Sequence, residues 1–269
     1  MKATLTITDL TRMQGDRVCV AGYLPDNTCV RPVFAKGGLT EEWLRLRGKV
    51  AIRPFAIIEI EFDMHGKLSM PLPPHTEDRI IDATHRVWRG TLTPEERAEW
   101  CAKTGDRDVA AIFGAAIHDE DGHFVLAGDG TRSLGTVRVK RLEAVQFSPG
   151  ANGRWQYRLT FTDQSERQYR LPVTDLAFRA YLEYLRDQRA VPPATVAHRL
   201  TAILRKNPVF LRIGLARGWE RFPDRCYVQI TGVYSFPDYL SGRCFADFVP
   251  ASVPNDGFLT KLARFLGAD

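Results

Sequence analysis

The second half of the sequence, residues 136–234, alternates hydrophobic and polar residues in a series of short segments. A period of two residues is typical of a strand with one buried face and one exposed face. The clearest segment separates two sets of residues onto opposite faces: Trp155, Tyr157, Leu159 and Phe161 against Gln156, Arg158, Thr160 and Thr162. Upstream, the alternation between Val137 and Phe147 changes phase near Arg141, which predicts a bulged and bent first strand.

Further segments complete an ordered set of elements in this half. We predict a third strand at 168–172, a helix capped by Thr174, a second helix at 195–206, and strands at 209–215 and 225–234. Three strands, a helix and two strands form the order of the OB-fold, a five-stranded Greek-key barrel that often binds oligonucleotides or oligosaccharides. The pattern therefore predicts an OB-like barrel here.

The first half repeats this order less clearly. The predicted elements are strands at 4–8, 17–23 and 28–33, a short helix at 41–46 and a fourth strand at 55–62. A helical insertion follows, in which Thr93-Pro94-Glu95-Glu96 combines an N-cap, a first-turn proline and a capping-box glutamate. We expect His123 to Ala127 to supply the missing fifth strand.

These elements predict a mainly β fold with flanking helices, organised as two tandem OB-like Greek-key barrels packed together. The glycine-rich stretch from Gly128 to Thr131 marks the boundary. We assign residues 1–130 to an N-terminal barrel with the helical insertion, and residues 131–269 to a C-terminal barrel with a C-terminal helix. That helix would dock through its hydrophobic residues Phe258, Leu259, Leu262, Phe265 and Leu266.

Composition narrows the class of protein. A hydrophobic content of 44% in 269 residues is sufficient for a substantial core. No hydrophobic run approaches the roughly 20 residues needed to span a bilayer, and the N-terminus does not resemble a signal peptide. The five cysteines form no CxxC pair, which argues against a zinc site or a disulfide framework. We expect a cytoplasmic protein without a metal or a cofactor.

Positive charge is concentrated in the second half. The net charge is +5, but residues 135–234 contain 17 Lys and Arg against 8 Asp and Glu, whereas residues 1–134 contain 17 against 20. A locally basic barrel is typical of proteins that bind nucleic acid or polyphosphate. A basic surface that is simply solvated is an equally favoured interpretation.

The predicted strands of the second barrel supply a candidate nucleic-acid-binding face. Basic residues on outward parities, together with one outward aromatic residue, are its members: Arg138, Lys140, Arg154, Arg158, Arg170 and Tyr227. Cations that follow phosphates and rings that stack on bases hold single strands. We expect four of these charges, on three consecutive strands, to form one continuous surface: Arg138, Lys140, Arg158 and Arg170. Trp155, Tyr157 and Tyr169 lie on the inward parity, which favours a role in the core.

Two further sets of residues are candidates for anion binding or acid–base chemistry. Arg31, Arg53, Arg212 and Arg217 could clamp an anion, although buried Arg–carboxylate pairs would also explain Arg212 and Arg217. His75, Glu77 and Asp78 form a short polar cluster that could act in catalysis. We favour a structural role for this cluster, with bonds inside its own loop and no concave surface beside it, because a single short cluster rarely makes an active site.

Several short strings stand out in order along the chain: Arg31-Pro32, Arg53-Pro54-Phe55, Pro73 to Asp78, Leu171 to Leu176, Leu211 to Arg217, Cys226 to Gly232 and Phe236 to Leu240. Together they resemble the bacterial family of dual-OB-domain proteins over nearly the whole chain. The resemblance implies a pair of OB barrels and a setting in prokaryotic conflict or defence systems. It carries no established catalytic residues.

Three functional hypotheses remain open. The leading one is a non-catalytic module that binds nucleic acid, most simply a single strand, as an accessory of a defence system. The second is a sensor or enzyme for a small phosphorylated ligand, such as a nucleotide, held between the barrels by Arg31, Arg53, His75 and Arg212. The third is a scaffold for a protein partner encoded nearby. The common nucleotide-binding and hydrolase motifs are absent from the sequence.

Overall fold

The computed structural model describes residues 1–63, 72–151 and 153–249. The predicted C-terminal helix lies outside the described residues. Within these ranges most of the ordered chain is β-strand, and the helices flank the strands.

The first barrel is closed by five strands. Its elements are β1 Lys2–Arg12, β2 Arg17–Tyr23, β3 Cys29–Val33, β4 Leu39–Thr40, a 3-10 turn Glu42–Leu44, β5 Arg45–Leu46, β6 Lys49–Val50, β7 Ala56–Phe62 and β8 Asp78–Thr91. β1 pairs with both β2 and β7, β8 pairs antiparallel with β7, and β3 pairs with β2 and runs parallel to β8. The ring β1-β2-β3-β8-β7 has the topology of an OB-fold.

Two predictions for the first barrel were wrong. The segment 41–46 forms a 3-10 turn followed by the short strand β5 and not a helix, and the fifth strand is β8 rather than residues 123–127. β8 escaped prediction because most of its side chains, including Trp88, are exposed or half-buried. A strand without one continuous buried face lacks the two-residue alternation on which the prediction depended.

The insertion lies against the second barrel. It contains α1 Pro94–Lys103, β9 Gly105–Asp106, α2 Val109–Phe113 and β10 Phe124–Leu126. The predicted capping box is present: the Glu96 amide donates to the Thr93 hydroxyl at 3.3 Å, and the Thr93 amide donates to the Glu96 carboxylate at 2.7 Å. β9 pairs with the first strand of the second barrel, and β10 pairs with its last. The domain boundary near residue 130 stays a prediction.

The second barrel is the more open of the two. Its elements are β11 Leu134–Arg138, β12 Arg141–Pro149, β13 Trp155–Thr162, β14 Gln168–Pro172, α3 Leu176–Asp187, α4 Pro193–Arg205, β15 Val209–Leu215, β16 Arg225–Ser235 and a 3-10 turn Phe245–Asp247. β12, β13 and β14 form one sheet, and β11, β15 and β16 belong to another. A parallel bridge from Val173 to Ile230 joins them, as in an OB-fold.

The predicted bend in the first strand of this barrel is observed. The strand is divided into β11 and β12, and the register of β12 shifts between Leu142 and Ala144. α4 covers the free edge of β12. The Val145 amide of β12 donates to the Thr201 hydroxyl of α4 at 2.9 Å. The bend therefore leaves a strand edge that a helix protects.

Asp175, not Thr174 as predicted, caps α3. Its carboxylate accepts from the amides of Ala177 at 2.8 Å and Phe178 at 3.1 Å. It also accepts from the Val233 amide of β16 at 2.8 Å. Burial raises the pKa of Asp175 to about 6, although the three amides oppose that shift. One side chain thus ties the helix to the barrel.

The two barrels share one core. A single cluster of buried hydrophobic residues extends from Leu5 and Ile58 in the first barrel to Phe161 and Ile213 in the second. At the contact, the Arg12 amide at the end of β1 donates to the Thr174 carbonyl at 2.9 Å. The predicted arrangement of two OB-like barrels packed together is confirmed.

Candidate functional site

A buried ion pair joins the barrels. Arg212 of β15 donates through Nε to the Asp9 carboxylate of β1 at 2.8 Å, and both side chains are almost completely buried. Its Nη1 donates to the hydroxyls of Tyr23 at 2.6 Å and Thr136 at 2.9 Å. Burial raises the pKa of Tyr23 to about 12, so its hydroxyl stays neutral. The structure places Arg212 in this network, where its donors are used by protein groups.

A cleft of about 610 Å³ opens beside this network, between the two barrels. Its walls come from β1, β2 and β3 on one side and from the end of β15 and the outer face of β16 on the other. We call it the inter-barrel cleft. A concavity of this size lies within the usual range for small-molecule sites, about 300–1,000 Å³.

The inter-barrel cleft contains two of the four predicted anion-binding arginines. Arg31 donates through Nε to Asp78 at 2.6 Å, and Arg217 donates to the other oxygen of the same carboxylate. The two guanidinium groups hold the pKa of Asp78 below its usual value despite burial. Arg31 is buried, whereas the Arg217 side chain is 57% exposed. One carboxylate thus positions two cations at the cleft wall.

The other predicted arginine lies elsewhere. Arg53 lines a small cavity of about 60 Å³ together with Phe55, Arg97 and Tyr234. The Arg97 guanidinium lies 5.4 Å from the centre of the Phe55 ring. The structure therefore brings Arg31 and Arg217 together but does not bring Arg53 to the same place.

The His75, Glu77 and Asp78 cluster connects the barrels. Glu77 accepts from the amide of Ser133 at 2.5 Å, its hydroxyl at 2.8 Å and the amide of Leu134 at 3.0 Å. These bonds anchor the start of β11, and the partners of Glu77 lie outside its own loop. Asp78, contrary to our expectation, borders a concave surface.

His75 lies behind this surface. It is 6% exposed, and its Nε2 lies 3.9 Å from the Cys226 thiol. Burial, followed by the positive charges of Arg31 and Arg217, lowers the pKa of His75 to about 3. The imidazole is therefore neutral at physiological pH.

The outer face of β13 and β14 carries two of the predicted basic residues. Arg158 and Arg170 lie on the outward parity, where Arg158 pairs with Gln146 and Pro172, and Arg170 donates to the Gln146 side chain at 2.7 Å. We call Arg158 and Arg170 the basic sheet face. Tyr157 and Tyr169 point inward and are 5% and 1% exposed, as the alternation predicts.

The remaining basic candidates lie at the margins of this face. Arg138 ends β11 and is exposed. Lys140 is also exposed and forms an ion pair with Glu166. Arg154 lies in the loop between β12 and β13. The structure therefore places Arg158 and Arg170 together, and the other three at strand ends and in a loop.

A group of aromatic rings lies on the loop between β15 and β16 and at the start of β16, with one ring exposed and two half-buried. Trp219 is 53% exposed, and its ring lies 5.6 Å from that of Phe222. Phe222 lies 6.4 Å from Tyr227, the aromatic residue that the sequence predicts to point outward. We call Trp219, Phe222 and Tyr227 the aromatic patch. Arg221 lines the same shallow concavity.

The sequence interpretation missed Trp219 and Phe222. The available signal was their position: two aromatic residues in the polar, glycine- and proline-containing loop that joins predicted strands four and five. In OB-folds this loop is one of the two that bind oligonucleotides. Alternation analysis does not register loop residues, because it depends on the period of regular elements.

β16 connects the aromatic patch to the inter-barrel cleft. Tyr227, Gln229 and Thr231 follow one another on the same face of the strand. Thr231 donates to Asp9 at 2.5 Å, Gln229 lines the cleft, and Tyr227 belongs to the patch. Residues two apart on a strand are separated by about 6.6 Å, roughly the spacing of successive nucleotides in an extended strand.

These features define an OB-fold protein with two barrels. The sequence matches the family described as the dual OB-containing domain over residues 7–233, and the chain belongs to that family. The family predicted from the short sequence strings is therefore confirmed. No curated protein matches the chain. Within the described ranges, no helix is both long enough and apolar enough to cross a membrane.

Proposed function

We propose that this protein binds single-stranded nucleic acid on the outer surface of its second barrel. The observation that carries the proposal is the aromatic patch, on the loop between β15 and β16 and at the start of β16. Single-strand binding proteins combine exposed rings, on which bases stack, with cations that follow the backbone. Trp219, Phe222 and Tyr227 supply the rings, and Arg158, Arg170 and Arg221 supply the charge.

The aromatic patch is held in place by its neighbours. The guanidinium of Arg225 lies 5.0 Å from the centre of the Phe222 ring and 4.5 Å from that of Phe124. The Phe124 ring lies 5.7 Å from that of Tyr227. Rings fixed before binding lose little conformational entropy when a base stacks on them. Neighbouring side chains therefore fix the rings of Phe222 and Tyr227 most firmly. Trp219 contributes the most exposed ring of the patch.

Affinity for a labelled single strand of about 20 nucleotides, a length that spans one or two OB-fold sites, tests this proposal. We expect Trp219→Ala to weaken binding about 5- to 150-fold, because a stacked base contributes about 1–3 kcal/mol. Trp88→Ala is the matched control, since Trp88 is also 53% exposed but lies on the first barrel. Equal affinities for the two variants would contradict stacking on the patch.

A setting in prokaryotic defence is part of the same proposal. It is supported by the resemblance to dual-OB-domain proteins and not by any contact in the fold. Deletion of the gene, followed by challenge with phage and plasmids, tests it directly. We expect the deletion strain to lose protection, and unchanged sensitivity to both would contradict this part of the proposal.

A further inference from the structure

The inter-barrel cleft contains a cation with an unsatisfied donor. Arg31 uses Nε on Asp78, but its buried Nη2 has no hydrogen-bond partner among the described residues. A buried donor without a partner lowers stability by about 1–3 kcal/mol, more for a charged group. In folded proteins such donors are usually paired with a protein group, an ordered water or a bound ion. An anion in the adjoining cleft would supply the acceptor that Arg31 lacks.

Arg217 provides the accessible half of the same anion site. Its side chain is more than half exposed at the cleft wall while Asp78 fixes one of its nitrogens. The free nitrogens of its planar fork are suited to the geometry of phosphate oxygens. Two guanidinium groups share the single carboxylate of Asp78 at this part of the wall. Arg12, on the same cleft, is held by Glu41 at 3.1 Å.

The rest of the cleft fits a larger group than a bare anion. Val18, Phe34, Leu39 and Leu215 give it an apolar wall. Gln14 and Gln229 add amides that can donate to or accept from a polar edge. A flat heterocycle joined to a phosphate has this combination of an apolar face, a hydrogen-bonding edge and a negative charge.

Among the described residues that line the cleft, we find no activated nucleophile. Its thiol, Cys19, has a pKa raised by burial and is therefore protonated at neutral pH. A thiol must be ionised to attack a substrate. His75, the nearby imidazole, is buried behind the wall and neutral. These groups favour reversible binding over a covalent step.

We infer that the inter-barrel cleft is a second ligand site, distinct from the proposed nucleic-acid surface, and that it binds a nucleoside phosphate. The phosphate lies on Arg31 and Arg217, and the base lies against the apolar wall. Because the cleft is formed by both barrels, the ligand stabilises their contact. The site stands on its own contacts and does not depend on the nucleic-acid proposal.

Thermal unfolding of the full chain tests this inference with adenosine monophosphate, adenosine and inorganic phosphate as separate probes. We expect millimolar adenosine monophosphate to raise the Tm by roughly 3 °C or more, because a ligand that binds only the folded state stabilises it. Adenosine and inorganic phosphate should each give a smaller shift. Replacement of Arg217 by Met should weaken binding of the monophosphate at least tenfold.

Two variants separate this inference from its alternatives. Arg221→Met is the matched control, because Arg221 is in the same loop but lines the aromatic patch. It should keep the ligand-induced shift, as should Trp219→Ala, whatever happens to oligonucleotide binding. A wild-type protein that no probe stabilises would overturn the inference, as would a shift that R217M retains in full. An equal shift with inorganic phosphate alone would overturn the nucleoside part.

Discussion

At the scale of single residues, the Asp9–Arg212 pair is a buried ion pair that joins the two barrels. Burial removes each charge from water, which costs desolvation free energy. Only the attraction between the two charges and their hydrogen bonds compensates for that cost. Asp9 accepts from Arg212 and Thr231, while Arg212 also donates to Tyr23 and Thr136. Removing one charge leaves the other buried and unpaired.

We therefore predict that Arg212→Met lowers the free energy of unfolding by about 3–5 kcal/mol. Arg217→Met is the control, because the exposed Arg217 side chain contributes at most about 1 kcal/mol through its ion pair. Urea denaturation of both variants measures the difference. A loss below about 1 kcal/mol for Arg212→Met would show that the pair does not hold the barrels together.

His75 makes stability depend on pH. Its pKa falls from an ordinary 6.5 to about 3 on folding, mainly through burial. Below 6.5 the unfolded chain binds a proton that the folded chain does not, so stability falls as the pH decreases from 6.5 towards 3. The slope for one proton is at most about 1.4 kcal/mol per pH unit.

We predict that His75→Asn makes this decline shallower. Asp175 acts in the opposite direction: its pKa rises from 3.8 to about 6, so its contribution is complete below 3.8 and is lost as the pH rises through 6. The difference between wild type and variant isolates His75. Urea denaturation at a series of pH values measures it, and parallel curves would contradict the buried neutral imidazole.

At the scale of elements, α3 depends on a cap that also crosses to the barrel. An ordinary N-cap contributes about 0.5–2 kcal/mol. Asp175 accepts from two amides of the helix start and from Val233 in β16. Its removal should therefore cost more than the loss of a cap that serves only its own helix.

We predict that Asp175→Ala lowers the free energy of unfolding by about 1.5–5 kcal/mol, the sum of a lost cap and a buried amide left unpaired. Thr93→Ala, in the exposed capping box of α1, should lower it by only about 1 kcal/mol. Chemical denaturation of the two variants provides the comparison. Similar losses at both positions would show that the bond to β16 contributes little.

The elements that alternation predicted well are those with one continuous buried face. β13 and β14 have it, and their inward and outward residues are where the sequence places them. β8 has no such face. The sequence pattern instead assigns the hydrophobic segment around Val125 to the first barrel as its fifth strand, which is wrong. Phe124 to Leu126 pair with β16 instead, so local pattern identified a strand but could not identify its partner.

At the scale of the whole molecule, the candidate sites arise from contacts between distant parts of the chain. Asp78 reaches Arg31 across 47 positions and Arg217 across 139. Spacing along the sequence carries no information about such a triad. Their charge identified Arg31 and Arg217 as candidates in the sequence. The packing of the two barrels brings these two together and leaves Arg53 elsewhere.

The two barrels contribute differently to the two proposed binding sites. The second barrel presents the basic sheet face and the aromatic patch to solvent, and the first closes one side of the inter-barrel cleft. A strand that follows the outer face of β16 passes from Tyr227 to Gln229 at the cleft. Bound nucleic acid and bound nucleotide would therefore be neighbours on one surface.

The salt dependence of affinity for a labelled single strand is the sharpest test of nucleic-acid binding by the second barrel. We predict that the logarithm of the association constant falls linearly with the logarithm of the salt concentration. The slope should be about −0.7 for each phosphate neutralised. Replacing both Arg158 and Arg170 with Gln should reduce the slope by about 1.4, whereas Arg89→Gln on the first barrel should leave it unchanged. No binding at low salt, or an affinity that salt does not alter, would contradict nucleic-acid binding by the second barrel.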